Sequence, residues 1–393
     1  MIDRIHTRSA DRGAGGIASS LSSVYPSPLM QPLDDLIAFL RIPSVTGQEK
    51  ALAEHLCGRL SGSGRPVVLD GSSVVIPPAS DRRPLVVVAG HLDTVPPRGN
   101  EQPRIDGNVV WGRGAADMKG GLAVIASLLD SRACGDGWAR LGAILYAGEE
   151  GPIETNDLRR LLEGPAGWAR EAELAILLEP TDTHVEVGCL GVVNLDIVFR
   201  GEACHSARPW LGRNAIHEAL PWLKRIAEMD PIDHVVGTYS FRETASVTML
   251  RAGTARNVIP AEVTAGLNYR YPPGWDRARG KAAAFALAGD AAEIRLIDEA
   301  PSGDVPLERP LFAAFLEGSG RPSRAKQAWT DVAQFSERGI PSLNFGPGDP
   351  HLSHRDDERI DLRSIESCIE TLMWFLAGDG PFGLGRGARG GRP

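Results

Sequence analysis

The chain is 393 residues long, 42% hydrophobic, with a formal charge of -8 at pH 7. That length exceeds one ordinary core, so two domains or one domain with an insertion are expected, and the composition excludes a disordered chain. The acidic balance leaves no basic footprint for nucleic acid, and no apolar run approaches the roughly 20 residues of a membrane span. Five scattered cysteines without a CxxC read as reduced thiols, so the expected location is cytoplasmic.

Residues 1–28 are rich in Ser, Gly, Ala and charge and lack the compact apolar segment of a secretory signal. They and the Gly/Arg-rich residues 380–393 read as mobile tails. The folded part opens with helices around Leu33–Leu40 and Glu49–Leu60, followed by strands in VVLDGSSVVIP and LVVVAGH. The second run is unbroken and apolar, the kind buried on both faces of a parallel sheet. After the glycine-rich GRGAADMKGG come a helix in GLAVIASLLDS and two more buried strands in LGAILYAGEE and ELAILLEPTD. This alternation predicts an α/β domain with a mostly parallel sheet.

From about Val185 the texture changes to alternating strands and amphipathic helices, which predicts a smaller α+β domain with an antiparallel sheet, inserted at 186–298. PSLNFGPG and IESCIETLMWFLAG then return to the first domain, which is expected to span 29–185 and 299–379.

The residues that can carry chemistry end the apolar runs. His91 and Asp93 stand two apart at a strand exit and so share a face, which lets a carboxylate orient a metal-binding imidazole. A strand-end histidine bonded to a loop would look the same. Asp117 precedes a helix, where it either caps the helix or bridges cations; the spacing around it fits no phosphate-binding loop. Glu149 and Glu150 are adjacent acids whose repulsion a cation would resolve, one as ligand and one as proton acceptor. Glu179 repeats the strand-end pattern before Pro180, and His354 lies in a Gly/Pro loop with His351 as competitor. Histidine, aspartate and glutamate without cysteine are the ligands of a hydrolytic rather than a structural zinc site.

Taken in order, these segments resemble the M20 family of dinuclear zinc peptidases and amidohydrolases over about residues 30–378. LEPTD, ACHSARPWLGRNAIH, NVIPAE, LNYRY and SHRDDE are most similar to the family's branch that removes succinate from N-succinyl-LL-diaminopimelate. The resemblance implies a zinc-peptidase-like α/β domain with an inserted dimerisation or lid domain. It implies two zinc ions, or cobalt or manganese in their place: one on His91 and Glu179, the other on Glu150 and His354, with Asp117 bridging. Glu149 is then the general base and Asp93 the residue orienting His91. His354 is favoured over His351 because the family places a Glu four residues after the ligand, which Glu358 supplies.

The resemblance further implies a homodimer in which His205 reaches the partner subunit's site, and substrate contacts from Asn257, Arg270 and Thr330. The implied substrate is a small N-acyl amino acid, with another deacylase or dipeptidase activity as the alternative and a non-catalytic ligand-binding relative as a further one. The chain departs from the branch at Gly188–Val192, where many desuccinylases carry an arginine pair and this chain has Cys189 and Leu190. It departs again at Asp349-Pro350, where an Asn is frequent.

Overall fold

The computed structural model describes residues 27–377 apart from Asp290. The two expected tails lie outside this range except for Ser27 and Pro28, which begin the first helix, Ser27–Leu40. Of the C-terminal domain segment 299–379, residues 378 and 379 also lie outside it.

An eight-stranded mixed sheet forms the centre. Four of its strands run parallel side by side: Arg140–Tyr146, Leu85–His91, Ala172–Leu177 and Ser342–Asn344. The apolar run Leu85–His91 is buried at every position and feeds two cores. Val86 and Val88 pack with the helices Ser27–Leu40, Lys50–Ser61, Gly120–Asp130 and Leu362–Leu376, whereas Leu85, Val87 and Ala89 pack with Leu158, Leu161 and Phe335 on the other face. Alternation of period two on a strand between two helical layers accounts for the absence of polar residues before His91.

Parallel register then decides where the site lies. His91 pairs with Tyr146 and Ala89 with Leu177, so three strands end side by side. The residues just past those ends, including Asp93, Glu149, Glu150 and Glu179, converge at the carboxyl edge, the usual ligand-binding edge of an open α/β sheet. A three-stranded antiparallel sheet of Arg104–Asp106, Val109–Trp111 and Arg359–Asp361, not foreseen from the sequence, draws the segment after His354 against the 112–117 loop. Gly121 lets the helix after that loop approach: a Cβ there would stand 2.4 Å from the Leu178 carbonyl.

Residues 191–300 form a five-stranded antiparallel sheet, in spatial order Ile232–Val236, Tyr239–Ala252, Glu262–Tyr271, Gly191–Arg200 and Glu293–Ala300. The first of these strands is the short hairpin partner of the second. Val193, Leu195, Ile197, Leu267 and Tyr269 pack against Trp222, Ile226 and Ala284 of the helices Ala215–Ala227 and Arg277–Ala288. Their strand neighbours Asn194, Asn268 and Arg270 fall on the opposite face. Among the described residues no helix is long and apolar enough to cross a membrane.

Candidate metal centre and active site

Four carboxylates and two imidazoles meet at the carboxyl edge. Their ligand-type atoms form three groups, each within 4.8 Å: His91 with Asp117 and Glu179, Asp117 with Glu150 and His354, and His91 with Glu149 and Glu150. Asp117, His91 and Glu150 each belong to two of these groups, and Asp117 is the one common to the group with Glu179 and the group with His354.

His91 is buried, with Nδ1 3.0 Å from the Asp93 backbone carbonyl and Nε2 3.1 Å from Asp117 Oδ1. Its nearest partner in Asp93 is therefore the carbonyl, since the carboxylate stands 3.6 Å away. A carbonyl accepts only from an N–H, so Nδ1 carries a proton, and in the neutral ring the Nε2 lone pair is the one available to an ion. Burial opposes charge on His91, but Asp117 and Asp93 outweigh it and raise the imidazole well above its ordinary range.

Asp93 has a second task that sequence spacing did not indicate. Its Oδ1 accepts from the Glu149 amide at 3.0 Å, and its Oδ2 accepts from the Glu150 amide at 2.9 Å and the Thr46 hydroxyl at 2.9 Å. One buried carboxylate thus fixes the backbone of both acids. Glycine is required just before them: Gly148 has φ +81, and a Cβ there would lie 2.2 Å from the Thr155 carbonyl.

Asp117 is not a helix cap. The helix begins at Gly120, and Asp117 lies in a short irregular turn before it, followed by a cis peptide bond to Met118. Glu358 supports this turn. Its Oε1 accepts the Ala116 and Asp117 amides, each at 3.1 Å, while its Oε2 pairs with buried Arg113 at 2.8 Å. The Glu four residues after His354 therefore builds the loop that presents Asp117.

His354 is half exposed, with a left-handed φ of 65°. Its Nε2 stands 2.8 Å from Glu150 Oε1 and 3.6 Å from Asp117 Oδ2. The Glu150 contact, ahead of the burial that opposes it, raises this imidazole. His351 is not part of the cluster: its amide donates to Asp349 Oδ1 at 2.8 Å, and its ring is in none of the three groups.

Burial drives the two remaining acids toward their neutral forms. It raises Glu149 well above its ordinary range, with Glu179, Asp331 and Glu150 adding to the effect and His91 opposing it. Burial likewise pushes Glu179 up to about 8, helped by Asp117 and Asp331 against His91 and Lys326. Glu179 Oε1 is buried without a hydrogen-bond partner. A buried orphan carboxylate oxygen among nitrogen and oxygen donors is what a divalent cation satisfies, so the residues fit a metal centre.

Asp331 was missed in the sequence. It is fully buried and its carboxylate accepts from Asn156 Nδ2 at 3.0 and 2.9 Å and from Gln334 Nε2 at 2.6 Å. It ties the loop after Glu150 to the turn carrying Thr330. The only sequence signal was its adjacency to Thr330 in AWTD.

The substrate-side residues are divided. Thr330 is buried with its hydroxyl unpaired, and its carbonyl receives Cys189 Sγ at 3.6 Å. Arg270 lies one strand across from Val192, and burial lowers its guanidinium below the ordinary range. Cys189 and Leu190 are buried in the two apolar cores, and burial pushes the Cys189 thiol up to about 11. The position where an acyl anchor was expected is thus core packing, held by backbone bonds between Cys189 and Gly303 of 3.2 and 3.0 Å.

His205 and Asn257 are brought together but not to the carboxylates. Cys204–His205 pairs with Val258–Ile259, and the Ser206 amide donates to the Asn257 carbonyl at 2.9 Å. His205 is exposed, its Nδ1 accepts from the Ala207 amide at 3.0 Å, and no hydrogen bond joins it to the carboxylates among the described residues.

A buried cluster of divalent-cation donors at the parallel edge of an α/β sheet defines a metal-dependent hydrolase class, and the model of Peptidase family M20/M25/M40 matches residues 87–377. The chain belongs to this family of metallohydrolases. It is 35% identical over 354 residues, 88% of this chain and 98% of the relative, to a Mycobacterium tuberculosis H37Rv protein carrying the provisional name succinyl-diaminopimelate desuccinylase DapE. It is 32% identical over 345 residues to the succinyl-diaminopimelate desuccinylase of Corynebacterium glutamicum, covering 86% of this chain and 93% of that protein. The fold is shared with the Bacillus subtilis YXEP protein, a dinuclear metal-binding peptidase of the M20 family: TM-score 0.64, 16% identity, 88% of this chain and 97% of that one.

Proposed function

We propose that the chain hydrolyses the amide bond of N-succinyl-LL-diaminopimelate, releasing succinate and LL-diaminopimelate in the cytoplasm. The observation that carries the reading is the sharing of Asp117 between two ligand groups, with Glu149 alongside both. His91 and Glu179 would hold one divalent cation, Glu150 and His354 the other, and Asp117 both. Zinc suits this donor set, and cobalt or manganese could replace it. When bound, such a pair supplies Lewis-acid polarisation and lowers the pKa of water toward neutrality.

The chain's own residues then manage protons and position. Glu149 accepts a proton from the attacking water at its carboxylate and later delivers it to the leaving amine. Asp93 keeps Glu149 and Glu150 in place through their amides. His205, supplied by the partner subunit of a homodimer, donates to the carbonyl oxygen as negative charge develops there. Arg270, Asn257 and Thr330 hold the substrate, Arg270 by gripping a carboxylate.

A second reading is favoured by Cys189 and Leu190: with no cationic side chain there, the acyl group need not be succinyl, and another N-acyl amino acid or a dipeptide would be cleaved. Turnover of N-succinyl-LL-diaminopimelate, N-acetylornithine and simple dipeptides by the zinc-loaded protein separates the two. The first reading expects the succinyl substrate to be preferred; no turnover of it would end that reading and leave the second.

A further inference from the structure

Arg270 does not stand alone on its face of the five-stranded sheet. Its Nε donates to Asn268 Oδ1 at 3.0 Å, Asn268 Nδ2 donates to Asn194 Oδ1 at 2.7 Å, and Asn194 Nδ2 donates to Asp298 Oδ1 at 2.6 Å. Asn268, Asn194 and Asp298 sit directly opposite one another on three neighbouring strands. Regular pairing would not produce this row. Leu296 pairs with Leu195 on the helix-covered face, and a bulge at Ile297 moves Asp298, instead of Ile297, opposite Asn194. Bulges commonly re-aim a side chain in this way.

The direction of the row follows from its ends. Arginine only donates and an ionised aspartate only accepts, so both amides must turn their carbonyls toward Arg270 and their NH2 groups toward Asp298. The result is a polarised chain from a cation to an anion three side chains away, and polarised chains strengthen each member. It engages only Nε of Arg270: among the described residues no hydrogen bond or ion pair occupies Nη1 or Nη2. The terminal edge of the guanidinium is left with its two donors and its charge, the geometry for a bidentate grip on a carboxylate.

We propose that Asn268, Asn194 and Asp298 are positioning residues that lock Arg270 by its Nε and so present its Nη1–Nη2 edge to a substrate carboxylate. The inference rests on the reading of Arg270 as a substrate contact. Asp298 bonds to Asn194 and makes no direct ion pair with Arg270, whereas a carboxylate in place of Asn268 would sit on Nε itself.

The test is a double-mutant cycle on the zinc-loaded protein with N-succinyl-LL-diaminopimelate, with folding checked by thermal melting. Asn268→Leu is expected to raise KM roughly tenfold, the equivalent of one charge-assisted hydrogen bond, with kcat within about twofold. Asp298→Asn, which keeps an acceptor but removes the charge, should raise KM by about threefold. In the background of Arg270→Ala neither change should raise KM further, because both act through Arg270. If Arg270→Ala leaves KM unchanged, the substrate-contact reading falls and the row with it. If Arg270→Ala raises KM while the other two have no effect, or add to it in the double variants, the row is overturned and the contact stands. Should Asn268→Leu fail to fold, Asp298→Asn in the same cycle decides.

Discussion

Replacing Asp93 by Asn is the perturbation that tests most sharply how the acid pair is held. The side chain is buried and accepts three hydrogen bonds, two of them from the amides of Glu149 and Glu150 on different oxygens. An amide has one acceptor oxygen, so in either orientation its NH2 faces one of those backbone N–H groups. One buried donor is then orphaned, at about 1–3 kcal/mol. The bonds that survive lose their charge assistance, adding roughly 1 kcal/mol. The expected loss in urea unfolding of the metal-free protein at pH 7 is therefore about 2–4 kcal/mol with an unchanged m-value.

The pH dependence of that loss has a definite sign. Burial would raise the Asp93 carboxyl, but His91, the Glu150 amide and the Thr46 hydroxyl outweigh it and hold it below its ordinary range. Its contribution is complete above the unfolded value of about 3.9 and disappears as pH falls through the folded one, so the gap between wild type and variant narrows in acid. Turnover should fall about 10- to 100-fold, the usual effect of removing a residue that orients a metal site. An Asp93→Asn protein with wild-type stability at pH 7 and full activity would refute the reasoning.

Glu149→Gln should lower kcat by roughly 10²- to 10⁴-fold while metal content, read by elemental analysis, stays unchanged; full activity would remove Glu149 as the base. In the metal-free protein Glu179 is pushed up to about 8, so the folded state binds more protons than the unfolded one between about 4.3 and that value. Melting temperature should then fall as pH rises across this window, and adding zinc at pH 7 should release protons, measurable by calorimetry in buffers of different ionisation enthalpy. Mixing inactive Glu149→Gln and His205→Ala chains should restore activity that neither has alone, because one hybrid site regains both groups; a mixture that stays inactive although hybrids form argues against action across the dimer. Gly148→Ala should cost at least about 1–3 kcal/mol in unfolding, since it combines a left-handed φ with a collision at the Thr155 carbonyl.

Much of the α/β layer was legible because its strands are unbroken apolar runs whose two faces both meet helices. Leu85–His91 shows this: every residue is buried, and the run ends where chemistry begins. The convergence of His91, Asp117, Glu149, Glu150, Glu179 and His354 follows from such ends lying in parallel register. What the sequence hid depends on pairings distant along the chain. Glu358 supporting Asp117 and Asp331 binding Asn156 join residues 241 and 175 positions apart; the spacing from His354 marked Glu358 but not its task, and only its place beside Thr330 marked Asp331. The hairpin strand Ile232–Val236 is short and largely exposed, so it lacks the burial pattern that announces a strand. Cys189 and Leu190 stand where many desuccinylases carry an arginine pair, and residue type alone did not show that both side chains are buried in the apolar cores.

The central claim is a two-metal amide hydrolase built around a shared Asp117. Titrating metal-free protein with zinc while following hydrolysis of N-succinyl-LL-diaminopimelate tests it most directly. The account predicts that full activity develops only as the second equivalent per chain binds, and that an Asp117→Asn protein binds zinc weakly and stays inactive. Full activity at one equivalent, or zinc binding and turnover indifferent to Asp117, would contradict it.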